Sequence, residues 1–199
     1  MKVTPPRILM FAVVGAALGL AAAYGFGLAP WLRGATGQQA LQALAEATAP
    51  APPADVVPAR VGDPMPAIAL PGLDGATHRL PDDYPGTPLL INVWASWCGP
   101  CIEEMPELAR FDATRPRHGV QVIGLALDTA EGVRDFLERV PVDYPILLET
   151  PGPADTSVWL GNVRGLLPYT VLVDAQGRIA RQKLGPFAHD EIEGWATSE

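Results

Sequence analysis

The run Trp94-Ala-Ser-Trp97-Cys98-Gly99-Pro100-Cys101 constrains the fold more than any other stretch of this chain. It holds the only two cysteines and two of the five tryptophans. The residues before it, Pro88-Leu-Leu-Ile-Asn-Val-Trp94, carry no charge and read as a buried strand. The residues after it, Ile102-Glu-Glu-Met-Pro-Glu-Leu-Ala109, read as a helix. A Cys-x-x-Cys on a strand-to-helix turn puts the first sulfur at a helix N-terminus. Free N–H groups and the positive end of the macrodipole favour thiolate over thiol there. The second sulfur lies about one helical turn on and can close a disulfide onto the first.

Two cysteines can also form a static bridge, or half of a zinc site. A structural zinc site normally takes four Cys or His ligands. This chain has no second Cys pair, and His78, His118 and His189 are scattered singly. The motif context favours thiol–disulfide chemistry. The static bridge and metal binding stay open as alternatives.

The octapeptide Trp94–Cys101 resembles the active site of the thioredoxin superfamily. Its continuation, Cys101-Ile-Glu-Glu104-Met-Pro106, is similar to the membrane-anchored bacterial branch, the TlpA/ResA/CcmG-like thiol–disulfide reductases. The resemblance spans about Val61 to Trp195 and is specific around Cys98 and Pro168. It implies a thioredoxin-like α/β fold, a mixed central sheet flanked by helices. An N-terminal β-hairpin and a helix–strand insertion from about Thr129 to Leu148 are expected, behind one transmembrane helix.

The resemblance also assigns roles. Cys98 and Cys101 form the redox-active disulfide. Trp97, Gly99, Pro100, Leu167 and Pro168 shape the docking surface, with Pro168 cis and the Leu167 backbone facing the client. Thioredoxin has a buried Asp six residues before its first Cys; here Asn92 stands there and cannot take up a proton. Glu104 is the substitute. It lies three residues after Cys101 on the same helical face and matches the functional Glu of the ResA-like branch. A partly buried carboxylate beside two thiols has a raised pKa and can accept the proton of Cys101. The family often has Gly two residues before the Pro; here Leu166 stands there, with Gly165 one earlier. No cofactor and no metal are expected.

The chain has 199 residues, 48% of them hydrophobic, enough for one domain with extensions. Before Asp63 there are 4 Lys/Arg against 2 Asp/Glu; from Asp63 on, 10 against 20. The acidic domain argues against binding nucleic acid, which needs basic patches. Ile8 to Leu32 is 25 residues without a charge, long enough to cross about 30 Å of hydrocarbon. Lys2 and Arg7 precede it, placing the N-terminus in the cytoplasm. Residues 1–7 thus read as a cytoplasmic N-terminus, 8–32 as an anchor in the bacterial inner membrane, 33–62 as an Ala/Pro-rich tether and 63–199 as the periplasmic domain. A signal peptide cleaved near Ala21-Ala22-Ala23 is the alternative, but the run exceeds a usual signal core.

Along the domain, Ile68–Leu70 and Thr77–Leu80 flank an Asp74-Gly75 hairpin turn. Val120–Leu127 and Tyr144–Leu148 read as strands, with a helix capped by Asp128 or Thr129 between them. Val171–Val173 and Arg178–Lys183 read as a hairpin, and His189–Ala196 as the last helix. His78 is read as an exposed strand residue, His118 as a loop residue and His189 as a surface residue.

Gly-Pro between the cysteines looks like thioredoxin, a reductant by its potential. The expected function is reduction of disulfides in exported client proteins, apocytochrome c or copper-site proteins of oxidase assembly. A membrane thiol carrier of DsbD/CcdA type would supply electrons. A disulfide oxidase or isomerase of the same fold and a copper-binding assembly protein are the alternatives. The peroxiredoxin signature Pro-x-x-x-Thr-x-x-Cys is absent.

Overall fold

A computed structural model describes residues 53–54, 56–114 and 119–197. The expected membrane span, most of the tether and His118 lie outside these residues. Among the described residues no helix is long and apolar enough to cross a membrane.

Among the described residues seven strands and four helices follow one another (β1 Ile68–Pro71, β2 Thr77–Leu80, β3 Leu89–Trp94, α1 Gly99–Ala113, β4 Gln121–Leu127, α2 Ala130–Leu137, β5 Ile146–Glu149, α3 Thr156–Trp159, β6 Tyr169–Val173, β7 Ile179–Leu184, α4 Glu191–Thr197). Five strands make one mixed sheet in the order β5-β4-β3-β6-β7. Strands β3, β4 and β5 run parallel, because helices α1 and α2 return the chain between them. Strands β6 and β7 are antiparallel additions on the other side of β3. The expected thioredoxin-like sheet, the hairpin β1–β2 and the helix–strand insertion are all present.

Strand β3 is buried at every position, as expected of a parallel strand covered on both faces. Its period of two sorts the core. Leu89, Ile91 and Val93 join Ile123, Leu125, Val171 and Ile179 on one face. Leu90 and Trp94 join Met105, Leu108, Phe111 and Phe136 on the other. Asn92 shares the second face, so its polar group points toward α1 from inside an apolar layer.

Helix α1 buries Cys101, Glu104, Met105, Leu108 and Phe111, a stripe at spacings of three and four. Pro106 lies inside this helix.

Three boundaries move. The segment 56–62, expected in the tether, lies against the domain: Val56 and Ala59 are buried, and Ala59 N donates to Trp159 O (2.9 Å). Gly62 N donates to Ile179 O (2.8 Å) and Ile179 N to Asp63 O (2.9 Å), pairing the segment with the start of β7. The last helix begins at Glu191 rather than His189, because Asp190 takes φ 61°, which a helix does not allow. Strand β5 begins at Ile146, two residues later than expected.

Candidate active site

Cys98 ends the β3–α1 turn and caps the helix. Its backbone is extended, and its Sγ accepts from Cys101 N at 3.3 Å. The two sulfurs are bonded at 2.03 Å. Pro100 sits in the first turn of α1, where its missing N–H costs nothing. Cys101 is fully buried, whereas Cys98 keeps a narrow exposed edge. Gly99 and Pro100 are exposed beside it. Trp97 stands out at 68% exposure, an apolar platform next to the accessible sulfur.

Two contacts that the sequence did not announce hold this turn. Asp128, at the end of β4, accepts from Ser96 N (2.9 Å) and from Ser96 Oγ (2.6 Å). Partial burial would raise the Asp128 carboxyl, but these bonds and those from Thr129 hold it below its ordinary range. Asp128 is therefore spent on the Cys98 turn, and Thr129 caps α2 by accepting from Gly132 N (3.2 Å).

Pro168 is buried, and the Leu167–Pro168 bond is cis. Pairing of β6 with β3 ends at Tyr169↔Val93, so Leu167 lies beyond the paired register. The loop before it is held by Asn162. Asn162 Nδ2 donates to Leu166 O (2.9 Å), and Leu166 N donates to Asn162 Oδ1 (3.2 Å). Gly165 takes φ 60° and supplies the left-handed bend. Leu166 thus takes the position of the family's glycine without a left-handed backbone of its own.

Glu104 is 2% exposed. Its Oε1 accepts from Asn92 Nδ2 (2.8 Å) and its Oε2 from Phe187 N (3.0 Å). Burial raises the carboxyl from 4.5 to about 7, opposed by the Phe187 and Asn92 hydrogen bonds and by Lys183. Phe187 belongs to the loop after β7. A backbone donor from such a distant loop leaves no mark in the sequence. Glu103 shows no comparable burial.

The two described histidines pair with carboxylates. His189, 75% exposed, pairs with Glu107 (2.6 Å) and Asp190 (3.3 Å). Arg110 also pairs with both carboxylates, so a guanidinium already serves the one described group of three possible metal ligands. His78 is half-buried rather than exposed, and pairs with Asp74 at 3.3 Å.

The redoxin family model matches residues 60–196. The chain belongs to the redoxin family. Among redoxins it is 36% identical over 138 residues to a thiol:disulfide interchange protein DsbE of Allochromatium vinosum, covering 68% of this chain and 71% of the relative. It is 31% identical over 134 residues to the thiol–disulfide oxidoreductase ResA of Geobacillus kaustophilus, covering 67% and 74%. The crystal structure of a candidate DsbE from Chlorobium tepidum matches with a TM-score of 0.57 at 27% identity, over 69% of this chain and 95% of that one. This redoxin is a thiol–disulfide oxidoreductase of the ResA/DsbE kind.

Proposed function

We propose that the protein is a membrane-anchored reductase that opens disulfides in exported proteins on the periplasmic side. One observation carries the reading: a buried carboxylate, Glu104, lies one helical turn behind Cys101 in a helix capped by Cys98. In the dithiol form, the Cys98 thiolate attacks a client disulfide, and one client sulfur leaves as thiolate. Cys101 then attacks Cys98 of the mixed disulfide and frees the second client sulfur. The client gains two electrons, and the pair Cys98/Cys101 gives up two and closes its bond. Glu104 takes the proton of Cys101, bringing its thiolate within reach at neutral pH. Trp97 and Pro168 bound the groove, and the Leu167 backbone supplies hydrogen bonds to the client strand.

The clients fit exported proteins with paired cysteines, apocytochrome c or oxidase copper-site proteins. A membrane dithiol carrier of DsbD/CcdA type restores the dithiol. The anchor is residues 8–32, with the N-terminus cytoplasmic. Support comes from the uncharged run itself and from Gly-Pro between the cysteines.

A redox titration of the chain, followed by tryptophan fluorescence, tests the direction of transfer. Trp94 and Trp97 flank the pair and report its state. A midpoint near that of thioredoxin, about −270 mV, is expected. A midpoint near that of DsbA, about −120 mV, would make the protein an oxidase or isomerase.

A further inference from the structure

We propose that Asn92 is a positioning residue that follows the protonation state of Glu104, its amide donating to the carboxylate and turning to accept from the carboxylic acid. This rests on the reading of Glu104 as proton acceptor. Asn92 is 1% exposed and sits in mid-strand on the face that packs on α1. Its Nδ2 is fully used, donating to Glu104 Oε1 (2.8 Å) and Thr170 Oγ1 (3.1 Å). Its Oδ1 is buried and has no hydrogen-bond partner among the described residues. A buried orphan acceptor is costly, and one beside a titrating carboxyl calls for a function.

The two carboxylate oxygens are not equivalent. Oε2 faces the backbone N–H of Phe187 (3.0 Å), which donates and cannot accept. The Phe187 donor is fixed from several sides. Gly185 N donates to Pro168 O (2.9 Å), and Ala188 N donates to Glu191 Oε2 (2.7 Å). The Phe187 ring meets Trp195 edge-on at 5.2 Å. A proton arriving at Glu104 must therefore sit on Oε1, against Asn92. There the amide as placed offers only another donor. A half-turn of the amide about its last torsion brings Oδ1 to Oε1 and to Thr170. The Thr170 hydroxyl suits both states, since it can accept from Nδ2 or donate to Oδ1.

An aspartate at this position would compete for the same proton, and a leucine would serve neither state. Asparagine is neutral and serves both. The other charged or titratable groups that act on Glu104 are Lys183 from β7, which favours the carboxylate, and Glu191 from α4, which opposes it. Tyr144, ahead of β5, interacts with it too and is itself pushed further up. Cys101 lies on Glu104's own helix and Cys98 caps it. Among the described residues the side chain that hydrogen-bonds Glu104 is that of Asn92, and it stays neutral in both states.

The test is a pH titration of the full chain by NMR, with labelled Glu and Asn side chains. The Asn92 side-chain amide resonances are expected to move with the same midpoint as the Glu104 carboxyl carbon. In Asn92→Leu that midpoint is expected to move alkaline by about one pH unit, because the charged form loses the stronger bond. In the same variant the acid's C=O stretch, read by infrared spectroscopy, should rise in frequency as its O–H loses an acceptor. Asn92 resonances that stay still while Glu104 titrates would overturn the proposal, whether or not Asn92→Leu folds. A separate arm addresses the acceptor role: Glu104→Gln that releases a client disulfide at the wild-type rate across pH 6–9 would remove that role. The coupling of Asn92 to Glu104 would still be measured in the first arm.

Discussion

At the scale of single residues, Glu104 ties stability to pH. Burial lifts its carboxyl from 4.5 to about 7. Between those values the folded protein holds a proton that the unfolded chain has released. The stability this group permits is therefore full below about pH 4.5, and it is lost as pH rises through 7. At 1.36 kcal/mol per unit the loss comes to roughly 3 kcal/mol. Denaturant titrations of the oxidised chain at pH 5, 6, 7 and 8 should show wild type losing about 2–3 kcal/mol relative to Glu104→Gln across that range. Parallel curves would mean that the carboxyl titrates in the folded protein as it does in the unfolded one. The same raised affinity for protons suits the group to receive one near neutral pH.

At the scale of elements, the loop into β6 depends on one buried side chain. Asn162 satisfies both backbone polar groups of Leu166, and Leu166 sits two residues before Pro168. Asn162→Ala leaves these groups unpaired and should destabilise the protein by about 2 kcal/mol, read from the denaturation midpoint. An unchanged midpoint would show that water replaces the amide at no cost. This contact also marks where sequence reading stops. The uncharged run of β3 and the spacing of Cys101, Glu104, Met105 and Leu108 are periodic, so strand and helix were legible. The Asn162 clamp, the Ser96–Asp128 pair and the Phe187 amide join residues through backbone atoms or across long sequence distances. They have no period and no motif. Asp128 illustrates the difficulty: a helix cap and a clamp on a distant serine look alike until the fold brings β4 beside the Cys98 turn. Helix α4 starts later than its sequence pattern suggests for a local reason, the left-handed backbone of Asp190.

At the scale of the whole molecule, the site is assembled by the sheet. Asn92 comes from β3, Glu104 from α1, Thr170 from β6 and the Phe187 amide from the loop after β7, so no one segment contains it. Residues 56–62 are tied to this sheet as well. Gln182 Nε2 donates to Ala59 O (2.9 Å), and Arg178 donates to Gly62 O (2.8 Å). A chain beginning at Asp63 should be less stable than one beginning at Pro53 by about 3 kcal/mol, from lost burial of Val56 and Ala59 and from lost hydrogen bonds. Equal melting of the two would show that the segment only rests on the surface. The Ala/Pro-rich composition hid this docking, because a few buried side chains do not change the character of a tether. The unequal burial of the two sulfurs reaches further still. In the proposed exchange no client can bond to Cys101, since no part of it faces outward. How long a client stays attached is then timed from within, by the movement that brings Cys101 to Cys98. Clients unlike in size and sequence would be released by the same clock.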